Sequence, residues 1–279
     1  MPLKTYFLTS EIVPFSETGP LAHFSKFVPI RLQEHEHDIR LTAPKYGFIS
    51  ERKYILREVI RLRKIECQMK DEVLVASAKS AFIPKTRVQV YFMEHDRWFQ
   101  PLSPLLYKSR NGRPLADNGD RFAFFSKTSL NMLTHLFWRP NVVLCNNWQS
   151  SFVPILYRQL YAQHDFYREI HTVQIIHSLD TYGQVSRKIY DRLGVTLPDE
   201  ITDDRVNSLA VAALFADLVI VIDDPSSKLS KELSRRSHFQ SIRDKIAGKL
   251  VSVVRKDTSQ ENYNDVADEI HAILQDRFV

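Results

Sequence analysis

Short, unbroken apolar runs alternate along the chain with longer stretches in which apolar residues recur every three or four positions. The first run covers residues 5–10 and is ended by Glu11 and Pro14. A loop with proline and glycine follows at 14–20. Residues 21–34 then put Leu21, Phe24, Phe27, Val28 and Leu32 on one helical face, with Pro29 expected to kink the helix. A second run, 37–42, is closed by Pro44. A strand–loop–helix–strand unit of this kind feeds a parallel sheet through a right-handed crossover.

Three β-type runs come next, at 54–65, 72–78 and 88–94, and read as an antiparallel extension. A polar loop at 96–115 leads into a long amphipathic helix at 120–137. Residues 141–146 are a buried strand, because Val142, Val143 and Leu144 are consecutive and apolar, as parallel sheets require. A helix at 150–163, a strand at 172–177, a helix at 204–215 and a strand at 217–223 continue the alternation. A last helix at 259–278 carries Val266, Ile270 and Leu274 in register. The pattern predicts an α/β fold: a doubly wound, Rossmann-like, mostly parallel sheet with an antiparallel β extension. Ligands of such folds sit beyond the carboxyl ends of the strands. The loops to search are therefore 10–19, 44–47, 146–149, 177–182 and 223–225.

Composition narrows the chemistry. The chain has 279 residues, 44% of them hydrophobic and 25% charged, enough to bury a real core. The net charge of +5 is small for this length, and the densest basic segment is Arg57, Arg61, Arg63 and Lys64. No aromatic interleaving or known motif accompanies it, so a solvated face is expected and no nucleic acid partner. The opening residues have only the short apolar run Tyr6-Phe7-Leu8, which is no signal peptide, and no run approaches the roughly 18 apolar residues of a membrane span. Cys67 and Cys145 make neither a disulfide framework nor a metal spacing. These features predict a cytoplasmic chain with no membrane contact and no metal. There are only seven glycines, where average usage gives about 20. Neither a G-x-G-x-x-G nor a P-loop pattern occurs, so no self-contained nucleotide cradle and no cofactor is expected.

The searched loops carry a family resemblance. Ser10-Glu11-Ile12-Val13-Pro14-Phe15-Ser16-Glu17-Thr18-Gly19-Pro20-Leu21-Ala22 resembles the opening signature of ADP-glucose glycogen and starch synthases, S-E-x-x-P-F-x-K-T-G-G-L-A. Further matches follow in order. They are His37-Asp38-Ile39-Arg40 before Pro44-Lys45-Tyr46-Gly47, Val90-Tyr91-Phe92, and Asp117-Asn118 before Arg121-Phe122-Ala123. Then come Trp138-Arg139-Pro140-Asn141 before Asn147-Trp148-Gln149, and Thr172 to His177 at the family's T-x-H-N. The resemblance implies one half of a two-Rossmann-domain retaining glucosyltransferase. In that family the N-terminal domain holds the acceptor glucan, and the other domain holds most of the nucleotide. Residues 1–235 are then the N-terminal domain, residues 236–279 a helical segment packing back on it, and the donor-nucleotide domain is expected to be absent.

The same comparison marks departures. Glu17 stands at the family's lysine. A phosphate contact at about 4 Å and an effective dielectric near 20 would turn from roughly 4 kcal/mol attractive to as much repulsive. Pro20 stands at the second glycine and has no N–H to donate. Asn146 and Asn147 replace His-Asp, and Leu115 replaces a tyrosine. His177 keeps the position with the best claim to catalysis, though a structural histidine reads equally well. Thr18, Gly19, Asp117, Asn118, Asn147, Trp148 and Gln149 are the substrate-binding candidates together with Glu17; Trp148 could stack on a sugar or simply pack. His35 and His37 read as a solvated helix terminus, and Asp223-Asp224-Pro225 as a helix cap. The reading is a domain of α-1,4-glucan metabolism without stand-alone transfer, binding an α-glucan, a maltooligosaccharide or an authentic synthase. The alternative is an active ADP-glucose glucosyltransferase completed by a partner chain.

Overall fold

The computed structural model describes residues 1–225 and 228–279. Its strands are β1 Lys4–Leu8, β2 Asp38–Pro44, β3 Arg57–Glu58, β4 Ile65–Gln68, β5 Val73–Phe82, β6 Gln89–Glu94, β7 Val142–Asn146, β8 His171–Ile176, β9 Gln184–Ser186, β10 Arg205–Asn207, β11 Leu218–Asp223 and β12 Leu250–Val254. The main sheet runs β12-β11-β8-β7-β1-β2-β6-β5-β3, with β4 also on β5. From β12 to β6 every neighbouring pair is parallel. Beyond β6 the pairing turns antiparallel. Strands β9 and β10 form a separate ribbon.

Both faces of the central strands are covered, and β7 and β11 are buried throughout, as their continuous apolar sequences require. Alternation on β1 divides the core. Phe7 stacks on Phe24 of the helix Pro20–Glu34 at 6.1 Å. Its neighbour Tyr6 points the other way and donates to the carbonyl of Ser129, in the helix Asn118–His135, at 3.2 Å. The winding reverses between β1 and β7: β2 and β6 lie on one side, β8, β11 and β12 on the other. This switch leaves a crevice outside the carboxyl ends of β1 and β7. No helix among the described residues is long and apolar enough to cross a membrane.

Several expected elements are redrawn. The run at 54–65 is not one strand. Ser50 caps a helical turn at Glu51–Tyr54 by accepting from Lys53 N at 3.2 Å, and Ile55 then turns the chain at φ 54°. Arg57–Glu58 pair with β5, a 3₁₀ turn at Ile60–Leu62 follows, and Ile65 already opens β4. The helix Pro20–Glu34 is continuous through Pro29. The expected helix at 150–163 is a 3₁₀ turn, a short α segment Val153–Leu156 and a π segment Tyr157–Tyr161. The helix expected from 204 starts at Ser208, because Asn207 Oδ1 accepts from Leu209 N at 3.1 Å and Ala210 N at 3.3 Å.

The C-terminal segment is more than helical. Residues 250–254 form β12, an additional parallel strand on β11, and only then does the helix Gln260–Phe278 pack on Pro20–Glu34. There Tyr263 stacks on Phe27 at 5.7 Å, and Arg31 holds Asp268 with two bonds of 2.7 and 3.0 Å. His37 is buried rather than solvated, because Leu3 N donates to its Nδ1 at 3.0 Å and His271 meets its Nε2. Asp223 does cap a helix, though a later one than expected. Its carboxylate accepts from Ser230 N at 2.7 Å, Ser230 Oγ at 2.6 Å and Ser252 Oγ at 2.7 Å.

Candidate functional site

A cleft of about 230 Å³ opens at the switch point. Three of the five expected loops line it: Glu11, Thr18 and Gly19 after β1; Asn147, Trp148 and Gln149 after β7; His177, Ser178, Asp180 and Tyr182 after β8. The loops at 44–47 and 223–225 do not contribute. Two other segments do: Tyr107 and Lys108 from the long loop, and Arg255 from the end of β12.

Glu11 anchors the first loop. Its carboxylate is buried, accepting from Thr18 Oγ1 at 2.8 Å, from Tyr107 OH at 2.7 Å and from the backbone N–H of Thr18. Burial still raises its pKa against those bonds. Tyr107 OH is also 2.7 Å from Ser10 Oγ, and Tyr46 OH donates to Ser10 O at 2.8 Å. These bonds fix the loop that presents Thr18 and Gly19.

Asn147 fixes the second loop. It has φ 55° and ψ −166°, a strained backbone conformation that residues with side chains seldom adopt. Its Nδ2 donates to Ser178 Oγ at 3.0 Å, and its Oδ1 accepts from the N–H groups of His177 and Ser178 at 3.4 and 3.3 Å. The Asn147 amide thus ties β7 to β8 instead of reaching a ligand. Trp148 is 1% exposed and meets Phe122 edge-on at 4.9 Å and Tyr107 at 5.4 Å. It forms the packed floor of the cleft, not an open stacking platform. Gln149 is different. It is 2% exposed, lines the cleft, and its Oε1 is buried with no hydrogen-bond partner. A buried carbonyl in this state costs about 1–3 kcal/mol until a donor arrives.

His177 Nε2 lies 3.0 Å from Asn146 Oδ1, while Asn146 Nδ2 donates to Leu8 O at 2.9 Å. Its ring meets Phe24 edge-on at 4.5 Å. Burial, reinforced by the charge of Arg255, lowers its pKa to about 3. His177 is therefore neutral at physiological pH, with Nε2–H donating to Asn146 and Nδ1 left as an acceptor. This arrangement suits orienting a hydroxyl better than carrying a proton.

The remaining candidates lie elsewhere. Glu17 turns away from the cleft lining and meets His23 Nε2 at 2.8 Å. Asp117 pairs with Arg121, and Asn118 Nδ2 donates to Tyr107 O at 2.8 Å. Asn118 borders a second depression of about 590 Å³ on the other side of Tyr182. Among the described residues no group of three or more His, Cys, Asp or Glu is arranged to hold a metal ion.

Arg255 and Lys108, which no sequence signal marks, give the cleft positive charge. Arg255 follows the short apolar run 250–254, a strand signal too brief to stand out beside the final helix. Glu11 was visible inside the opening signature, but its role follows only from its burial.

The sequence matches the family model of the starch synthase catalytic domain over residues 4–240. Glycogen synthase from Pelodictyon phaeoclathratiforme is 32% identical over 222 residues, 77% of this chain and 45% of that protein. Glycogen synthase from Chlorobium luteolum is 26% identical over 303 aligned residues, 98% of this chain and 61% of that protein. The catalytic domain of starch synthase IV from Arabidopsis thaliana, solved bound to ADP and acarbose, shares the fold with a TM-score of 0.76 at 20% identity, covering 91% of this chain and 52% of that one. The chain spans about half the length of the curated relatives it matches. It belongs to the starch synthase catalytic domain family.

Proposed function

We propose that this starch-synthase-type domain binds an α-1,4-glucan in the switch-point cleft and does not transfer glucose by itself. The observation that carries the reading is the Gln149 amide. Gln149 lines the cleft and its Oε1 is buried without a partner, so a small shift of the side chain would let it accept from a ligand rich in hydroxyl donors. Thr18 and the free Nδ1 of His177 offer further polar contacts at the same rim. Weak transfer chemistry follows from the departures at the same loops. Glu17 brings negative charge where the family pattern has lysine, and Pro20 removes an N–H from the loop that would face phosphate. The amide of Asn147, where the pattern has a carboxylate, is spent on His177 and Ser178.

Calorimetric titration with maltotriose to maltoheptaose tests the reading: saturable heat is expected, and its absence for every length refutes glucan binding. A second reading, an active glucosyltransferase completed by a partner chain, is favoured by Arg255 and Lys108, which could meet a diphosphate. Incorporation of labelled glucose from ADP-glucose into glycogen by the purified protein would reverse the order of the two.

A further inference from the structure

Three histidines meet where the helix Gln260–Phe278 crosses the end of Pro20–Glu34. Leu3 N donates to His37 Nδ1 at 3.0 Å, so that nitrogen carries a lone pair. The proton of His37 is therefore on Nε2, which lies 2.8 Å from His271 Nδ1. His271 Nδ1 must accept, and the His271 proton sits on its other nitrogen. Both tautomers are fixed by one backbone N–H. Adding a proton to His37 sets two donors face to face at Leu3; adding one to His271 does the same at His37. The His35 ring stacks on His271 at 4.2 Å and 8°, so a charge on one is felt by the other.

The surrounding charges do not cancel this conflict. From the first helix and its end, Arg31 binds Asp268 and Glu34, and His35 Nε2 lies 2.6 Å from Asp268 Oδ1. From the last helix, Asp268 favours charge on His271, but burial outweighs it, and Gln275 binds the Met1 ammonium at 2.6 Å. That ammonium adds positive charge near both rings. From β2, Asp38 accepts from Trp138 Nε1 at 2.9 Å.

We infer that His37 and His271 form an acid-labile clasp, which releases the helix Gln260–Phe278 locally from the body of the domain when the pair is protonated. Release withdraws Tyr263, whose OH donates to Pro20 O at 3.1 Å, and loosens the segment that carries Arg255 into the cleft wall. Burial and His271 lower the pKa of His37 to about 4 from its ordinary 6.5, and burial also lowers that of His271. A site that is free at 6.5 and held at about 4 makes the open form roughly thirtyfold more populated at about pH 5 than at about pH 7.5, from His37 alone.

The test is amide hydrogen exchange on the intact chain at both pH values, corrected for intrinsic exchange. Protection along 260–278 is expected to fall roughly thirtyfold or more on acidification, while that of β7 holds. His37→Asn and His271→Asn each keep an acceptor oxygen near Nδ1 but cannot titrate. His37→Asn is expected to cut the pH dependence to a few-fold, and His271→Asn, which leaves His37 to titrate, to remove only the smaller His271 share, whatever the stability of either. The inference is overturned if the wild-type helix exchanges equally at both pH values. It is equally overturned if β7 opens in parallel, or if both variants keep the full pH dependence. None of these readouts involves a glucan, so the clasp and the glucan reading fail separately.

Discussion

The turn Thr181–Gly183 packs its backbone directly on the cleft floor, and Gly183→Ala probes that packing. A Cβ at Gly183 would lie 2.8 Å from Trp148 Cβ, 3.3 Å from Trp148 Cγ and 3.4 Å from Ser208 Oγ. The nearest of these is too close for carbon atoms and belongs to a side chain locked against Phe122 and Tyr107. Either the turn lifts or Trp148 moves, and overpacking of this kind costs about 1–3 kcal/mol. For a domain of this size, each kcal/mol lowers Tm by about 2–4 °C. Differential scanning calorimetry should therefore show a drop of about 4–8 °C for a cost near 2 kcal/mol. Because Tyr182 and Trp148 both line the cleft, maltoheptaose affinity should fall as well. Gly19→Ala is the internal control. Gly19 also lines the cleft, but an added Cβ there meets nothing within 4 Å, and its φ of −174° is open to any residue. Unchanged Tm and affinity in Gly183→Ala, or an equal loss in Gly19→Ala, would refute the close approach of turn and floor.

Other outcomes follow from the same geometry. Gln149→Leu should leave stability within about 1 kcal/mol, since it removes an orphaned carbonyl, yet weaken maltooligosaccharide binding about tenfold in calorimetric titration. Trp148→Ala should cost about 3–5 kcal/mol in urea unfolding, as expected for a large aromatic removed from a packed core. The folded pKa of His177 lies below its ordinary value, so the stability tied to its neutral form is complete above pH 6.5 and lost as pH falls towards about 3. That interval is worth no more than about 5 kcal/mol, and His177→Asn should flatten the urea midpoint against pH across it. Glu11 has the opposite sign: its raised pKa means that ionisation costs stability as pH rises through the folded value. Glu11→Gln should thus gain on wild type in stability as pH rises from 4 to 8 in the same assay.

Much of this was legible along the chain. The buried runs at Val142–Asn146 and Leu218–Asp223 announce parallel strands because no polar residue interrupts them until the carboxyl end. The loops after β1, β7 and β8 follow from the winding order, and they are the ones that converge. Side-chain destinations were not legible. Asn147 looks like a ligand contact in sequence, but an unusual positive-φ backbone turns its amide onto the next loop. Trp148 reads in sequence as a platform or as packing, and only Phe122 and Tyr107, 26 and 41 positions upstream, decide for packing by enclosing it. His37 looks solvated at a helix end until His271, far along the chain, arrives to bury it. In each case the deciding neighbour is remote in sequence, and periodicity carries no information about it.

The outermost parallel strand shelters the one beside it. β12 occupies the backbone hydrogen-bonding groups along one flank of β11, whose six residues are all buried and whose first five are apolar. A fragment shortened to residue 240, where the family match ends, would strip that cover and leave Leu218–Asp223 as a bare margin, apolar until Asp223. Such margins recruit strands from other molecules. Solubility of any shortened version therefore hinges on Leu250–Val254, a stretch beyond residue 240.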